Sequence, residues 1–348
     1  MSSEVYNEAM GSSVHEGASG DFATPSSPAL LIRSLGWSLL ALLAAYLINV
    51  VLTFWFDWPG INQIFGWNTN GDGGVTLSAV QLAFYGFAVV VAVLGVIKTG
   101  ARTLRQDERF IADMNGVLIR MCFWVVCFVG LADFAVSFLR VEGLLDGLVG
   151  SEMGANLGRA QFRGLYVHTP VILLGIVVGA FSRTLGFHWL ALLVVAAELF
   201  IVFSRFVFSY EQAFIGDLVR FWYGALFLFA SAYTLLDDGH VRVDLLYAGF
   251  RHEMKGKINR MGALLLGIPL CWIILFVGMW TKASVIVSPI LVFEITQAGF
   301  GLYIKYLMTG FLGIFAVTMM IQFVSQLFAA TADARGEPGA RQAVHEAM

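Results

Sequence analysis

The sequence predicts an all-α integral membrane protein with about eight transmembrane helices. Of its 348 residues, 58% are hydrophobic and only 13% are charged, whereas soluble domains carry roughly 25% charged residues. Several apolar stretches also run unbroken for the ~20 residues that a helix needs to cross the hydrocarbon core. Because a lipid-spanning segment must satisfy its own backbone hydrogen bonds, these stretches are predicted to be helices.

Four spans are predicted in the first half of the chain, after a tail. Residues 1–28 are rich in Ser, Gly, Glu and Ala and lack a sustained apolar run, which predicts a disordered cytoplasmic tail. The first span ends in an aromatic cluster that suits the membrane interface, formed by Phe54, Trp55, Phe56 and Trp58. The four predicted spans cover residues 35–56, 75–97, 114–139 and 165–181.

Four more spans are predicted in the second half, over residues 187–208, 219–236, 261–280 and 300–328. A cytoplasmic tail is predicted over 331–348. Apolar residues at helical spacing near 250–260 predict a short amphipathic helix at the interface. Its basic residues, expected near anionic lipid headgroups, are Arg251, Lys255, Lys257 and Arg260. A solvated basic loop is the alternative.

The distribution of positive charge predicts the orientation. With eight spans, both termini lie on the same side of the membrane, and most of the 21 Lys and Arg residues fall on that side. Because Lys and Arg are enriched on the cytoplasmic side, both termini are predicted to be cytoplasmic. The net charge of −3 produces no large basic field, so a nucleic-acid partner is not predicted. The three cysteines lie in apolar runs without metal-ligand spacing, and we predict no cofactor, no metal site and no enzymatic activity.

One segment resembles a known family. It contains the sequences Arg205-Phe-Val-Phe208, Asp217-Leu-Val-Arg220 and His240-Val-Arg-Val-Asp244. Together these resemble the DctQ-type small membrane subunit of tripartite ATP-independent periplasmic (TRAP) transporters, closest to the mannitol/chloroaromatic/α-keto acid subgroup. The resemblance covers residues 186–330, so residues 29–185 are expected to form a four-helix N-terminal extension. Family members often carry Trp and paired Glu where this chain has Phe214, Gly216 and Asp217.

The resemblance implies a scaffold in a three-part, ion-gradient-driven symporter of the bacterial inner membrane. The expected partners are a large DctM-type permease subunit, which binds the coupling ion, and a periplasmic DctP-type binding protein, which delivers an organic acid or similar solute. Three other functions stay open from the residues. These are an independent carrier, a scaffold for unknown partners, and a membrane anchor subunit of a respiratory or other membrane complex. A haem-bearing anchor needs paired intramembrane histidines; His168 falls within a predicted span, whereas His188 stands at the very start of one and offers no intramembrane partner.

Candidate partner-docking or subunit-interface residues lie where the fifth span ends and the sixth begins, and after the sixth. Arg205 and Arg220 are expected to pair with Glu211 and Asp217, either as ordinary interfacial charges or as a hairpin that docks the binding protein. The stretch 237–244 contains His240, Arg242 and Asp244, and we predict a turn or a subunit contact there. A metal cluster is the alternative.

Glu198 is predicted to be a buried acid, as the one acid near the middle of a predicted span. Ionisable groups in the membrane usually face protein or water and have a partner. A neutral carboxyl group that hydrogen-bonds a neighbouring helix is one reading of Glu198. A role in proton or ion movement is the other.

Overall fold

The computed structural model describes residues 29–66, 74–183, 186–210, 213–236, 247, 249–295 and 301–339. Within these residues there is no strand, and eight helices are long and apolar enough to cross a membrane. The all-α, eight-span prediction is therefore confirmed. The helices are α1 (Leu30–Trp55), α2 (Val75–Lys98), α3 (Leu104–Val141), α4 (Ala160–Phe181), α5 (Phe187–Phe208), α6 (Ala213–Leu236), α7 (His252–Met279) and α8 (Lys305–Ala334).

Helix α3 begins well before its predicted start at residue 114. Thr103 caps it, because the Thr103 hydroxyl accepts from the Gln106 N–H at 3.3 Å and the Gln106 side chain accepts from the Thr103 N–H at 3.1 Å. Its 38 residues make it about 57 Å long, so it extends beyond the ~30 Å hydrocarbon core. The prediction used apolar content alone, so it did not include the polar first turns of α3 in the helix. Helix α8 likewise continues to Ala334, into the predicted C-terminal tail.

The basic segment near 250–260 forms the start of α7. The helix runs over His252–Gly262, passes through a π-helical turn at Ala263–Gly267 and continues over Ile268–Met279. Helix α4 has a similar π turn at Gly164–His168. Each π turn lies just before a proline, Pro269 or Pro170. Because proline has no N–H to donate, the hydrogen-bond register changes there.

Helices α3 and α8 form the centre of the bundle. Helix α3 packs against α4, α6 and α8, and α8 packs against α1, α3, α6 and α7. One apolar core joins α3, α5, α6 and α8, and a second joins α1, α3, α7 and α8. Helices from both halves of the chain thus share one bundle. Helix α2 packs mainly along α1 and helix α5 mainly along α6, so both lie at its edges.

Two glycines let α3 and α4 approach closely. A Cβ atom on Gly175 would lie 2.7 Å from the Val125 Cα, and one on Gly179 would lie 2.5 Å from the Met121 Cα. Small residues four apart are a common device for packing helices in lipid, where burial of apolar surface supplies little driving force. The Gly179 carbonyl also accepts a hydrogen bond from Arg120 Nε at 3.0 Å.

Candidate functional site

A buried network of charged and polar residues surrounds Asp133 of α3. Asp133 Oδ1 accepts from Arg163 Nη1 at 3.0 Å and lies 3.0 Å from His168 Nε2. Asp133 Oδ2 accepts from the Tyr303 backbone N–H at 2.7 Å. The residues Asp133, Arg163 and His168 are each 0% exposed. The carboxylate therefore joins α3, α4 and the segment that leads into α8.

Arg163 and His168 make further contacts within this network. The guanidinium donates to the Ser137 hydroxyl and to the Leu157 carbonyl, both at 2.9 Å, and lies 4.0 Å from the centre of the Tyr303 ring. His168 Nδ1 lies 2.8 Å from the Tyr306 hydroxyl. Both ring nitrogens of His168 are thus engaged, so neither is free to ligate a haem iron. These contacts compensate the buried charges of Asp133 and Arg163 and hold the helices in fixed positions relative to one another.

Sequence reasoning missed this network. Asp133 lies toward the end of the predicted third span, so Glu198, near the middle of the fifth, is not the only acid within a predicted span. Arg163 was assigned to a loop, because the fourth span was predicted to start at residue 165, whereas α4 begins at Ala160. The sequence did contain a signal for this site. Asp133 is an acid within an apolar run, and an acid in a membrane span usually needs a buried partner.

A second buried ionic cluster lies at the opposite end of α3. Arg33 of α1 donates to Asp107 at 2.7 Å, and both side chains are buried. Trp37 Nε1 also donates to Asp107 at 3.0 Å, and Arg33 donates to the Thr99 carbonyl at 3.0 Å. Arg105 pairs with Asp333 of α8 nearby. These charges explain how the polar first turns of α3 fold against α1 and α8.

The predicted docking residues occupy different environments. Arg205 is exposed near the end of α5. The Arg220 side chain is 72% exposed and donates to Asp217 at 3.2 Å, as the predicted ion pairing requires. Asp217 itself is buried, and its other oxygen accepts from the Leu302 N–H at 3.2 Å. Of these residues, Arg205 and Arg220 present charge, whereas Asp217 ties α6 to the segment before α8.

Other predicted residues lie outside the described structure or on its surface. His240, Arg242, Asp244 and Glu211 fall outside the described residues. Arg251 and Lys257 are exposed and Lys255 and Arg260 are half-buried, along the first turns of α7. Across the part of the chain that the structure describes, no three His, Cys, Asp or Glu side chains are grouped to hold a metal ion.

The structure corrects the expected burial of Glu198. Its side chain is exposed halfway along α5. The reason is that α5 packs on the bundle through one face, which is fully buried at Leu190, Ala197 and Ser204 and partly buried at residues such as Val194 and Ile201. Glu198 lies beside this buried face, on a face whose exposed neighbours include Val195 and Leu199. An acidic side chain at the centre of a span thus projects from the bundle toward its surroundings.

The fold and these sites define a multi-pass membrane protein whose buried polar groups join helices. In a comparison with protein families, residues 190–333 match the family described as "Tripartite ATP-independent periplasmic transporters, DctQ component". The matched segment extends from Leu190 in α5 to Asp333 in α8 and supports the DctQ-type resemblance there. Comparisons with curated proteins and with solved structures found no match.

Proposed function

We propose that this protein is the small membrane subunit of a TRAP transporter in the bacterial inner membrane. The observation that carries this proposal is the match of residues 190–333 to the DctQ component. In this function the chain assembles with a large DctM-type permease subunit and a periplasmic DctP-type binding protein. The large subunit moves an organic acid in symport with an ion, and this chain supplies a fixed support.

A supporting role agrees with how the bundle uses its polar groups. Asp133 joins three parts of the chain, and Asp107 joins α1 to α3. Buried ion pairs with several hydrogen bonds hold their helices in one arrangement, since separation would leave a charge uncompensated in a medium of low dielectric constant. Such contacts oppose the large helix movements that solute translocation requires. We therefore assign translocation to the large subunit.

The exposed face of α5 is the proposed contact with the large subunit. It is apolar, lies at the edge of the bundle and carries Glu198 at its centre. A carboxyl group at that depth is costly in lipid, so a partner helix that presents a basic, amide or hydroxyl group would stabilise it. His240, Arg242 and Asp244 are proposed as further subunit contacts. Arg251, Lys255, Lys257 and Arg260 are proposed to face anionic lipid headgroups.

The exposed arginines are proposed to dock the binding protein. Arg205 and Arg220 lie near the two facing ends of α5 and α6, where Tyr210 also donates to Glu142 at the end of α3. This end of the bundle is periplasmic in the proposed orientation. Complementary charge mainly raises the rate of encounter and fixes the orientation of docking.

Solute uptake into proteoliposomes tests the function. Vesicles that contain the large subunit and this chain should accumulate solute when the binding protein and an ion gradient are supplied, and vesicles without this chain should not. The double variant Arg205→Glu/Arg220→Glu should raise the binding-protein concentration for half-maximal uptake by about fivefold, because two exposed charges are reversed.

Lys282→Glu is the matched control for the docking variant. Lys282 is exposed at the same end of the bundle and pairs with Asp57 at 2.7 Å, away from α5 and α6. This variant should leave the half-maximal concentration unchanged. Uptake that is equally fast without the chain would refute the proposed function. Equal effects of the two variants would refute only the proposal that Arg205 and Arg220 dock the binding protein.

A further inference from the structure

A groove of about 710 Å³ lies among α1, α2 and α7. This volume falls within the ~300–1,000 Å³ range of small-molecule sites. Two of its three walls belong to the part of the chain before residue 190, outside the family match. Because α1, α2 and α7 are long and apolar enough to cross a membrane, we expect the groove to open toward lipid.

The lining changes from apolar to polar along the groove. Leu42, at the middle of α1, and Ile273 of α7 line its apolar part, and the aromatic rings of Trp272 and Phe276 form one wall. Asn49 and Thr53 line the end near the C-terminus of α1. Asn49 is six residues before Trp55, so it lies about 9 Å from the helix end at 1.5 Å per residue. An amphipathic molecule would match this gradient.

At the polar end of the groove, hydrogen bonds hold most of the polar side chains in place, and one side-chain oxygen accepts no hydrogen bond from the part of the chain that the structure describes. Gln81 of α2 accepts from the Gly60 N–H at 2.8 Å and donates to the Thr53 hydroxyl at 3.0 Å. These bonds hold α1, α2 and their connection together. Asn49 is only 5% exposed, and its amide donates to the Ala45 carbonyl at 3.0 Å.

The Asn49 side chain hydrogen-bonds the Tyr85 side chain, and Asn49 Oδ1 accepts no hydrogen bond from the described residues. An unpaired buried carbonyl oxygen is costly, and a donor from a bound molecule, directly or through water, would satisfy it.

We propose that the groove binds one membrane phospholipid. An acyl chain lies along Leu42, Trp272 and Ile273, and the glycerol and headgroup region lies at the level of Asn49 and Thr53. Trp55 and Trp280 flank this end, at the depth where aromatic residues meet the headgroups. The bound lipid occupies the groove beside the direct contact of α1 with α7, where Tyr46 donates to the Leu275 carbonyl at 3.0 Å.

Photo-crosslinking of the full chain tests the site. The purified protein is reconstituted in vesicles of phosphatidylethanolamine and phosphatidylglycerol that contain a trace of phosphatidylethanolamine with a photoreactive acyl chain. We expect crosslinks concentrated on the peptide that contains Trp272 and Ile273. Ile273→Trp, at a position 58% exposed to the groove side, should reduce them about tenfold by occupying the volume.

Two variants complete the test. Val277→Trp is the control, since Val277 is 67% exposed one turn further along α7 but does not line the groove, and its labelling should match the wild type. Asn49→Leu should reduce labelling about threefold through the lost hydrogen bond. Uniform labelling of all lipid-facing helices, equal effects of the two tryptophan variants, or retention of a different apolar molecule in native mass spectra would overturn the proposal.

Discussion

Asp133→Leu is expected to lower the free energy of unfolding by about 3–5 kcal/mol, the cost of breaking a buried ion pair by removing one partner. The substitution leaves the Arg163 guanidinium buried without its counter-charge and removes the acceptor for the Tyr303 N–H. Equilibrium unfolding in mixed micelles measures the change. We expect α4 and the start of α8 to lose their fixed positions first, because both are held through this carboxylate.

Two further variants separate charge compensation from general disruption. Asp113→Leu removes an exposed acid from the same helix and should change the free energy of unfolding by no more than about 0.5 kcal/mol. The double variant Asp133→Leu/Arg163→Leu should be more stable than Asp133→Leu alone, because no uncompensated charge remains. If the double variant is the less stable of the two, the compensating role of Asp133 is wrong.

Gly179→Leu is expected to separate α3 from α4. Its Cβ would lie 2.5 Å from the Met121 Cα, and backbone atoms cannot move aside as a flexible side chain can. Overpacking costs typically about 1–3 kcal/mol and occasionally more, and the shift should also stretch the Arg120 hydrogen bond to Gly179. The midpoint of thermal unfolding in detergent should fall accordingly.

Gly86→Leu is the matched control for this effect. Gly86 lies in α2 with no atom within 4 Å of an added Cβ, and its position is exposed. We expect an unchanged or slightly raised midpoint, since leucine favours the helix more than glycine does. A Gly179→Leu protein as stable as the control would contradict close packing of α3 on α4.

The spans could be predicted because lipid imposes a strong constraint on sequence. A helix that crosses the membrane must be apolar over ~20 residues, and this signal located all eight helices. It failed where helices extend into polar sequence. The first turns of α3 are helical because Thr103 caps them and because Arg33 pairs with Asp107, a contact between distant positions that no local pattern encodes.

The partners of Asp133 could not be predicted for the same reason. Asp133 and Arg163 belong to different helices and approach each other only after α3 and α4 pack through Gly175 and Gly179. Glu198 shows the opposite error. Its central position in a span was read correctly, but its direction depends on which stripe of α5 faces α6, and a wholly apolar helix carries little information about that choice.

Co-purification with the large permease subunit tests the central claim most directly. When the affinity-tagged chain is produced together with that subunit, we expect both in equal amounts after extraction and size-exclusion chromatography. Glu198→Lys should reduce the recovered large subunit about tenfold, because it reverses a charge in the proposed contact, whereas Asp113→Lys should not. A wild-type chain that elutes without the large subunit would contradict the assignment as its small subunit.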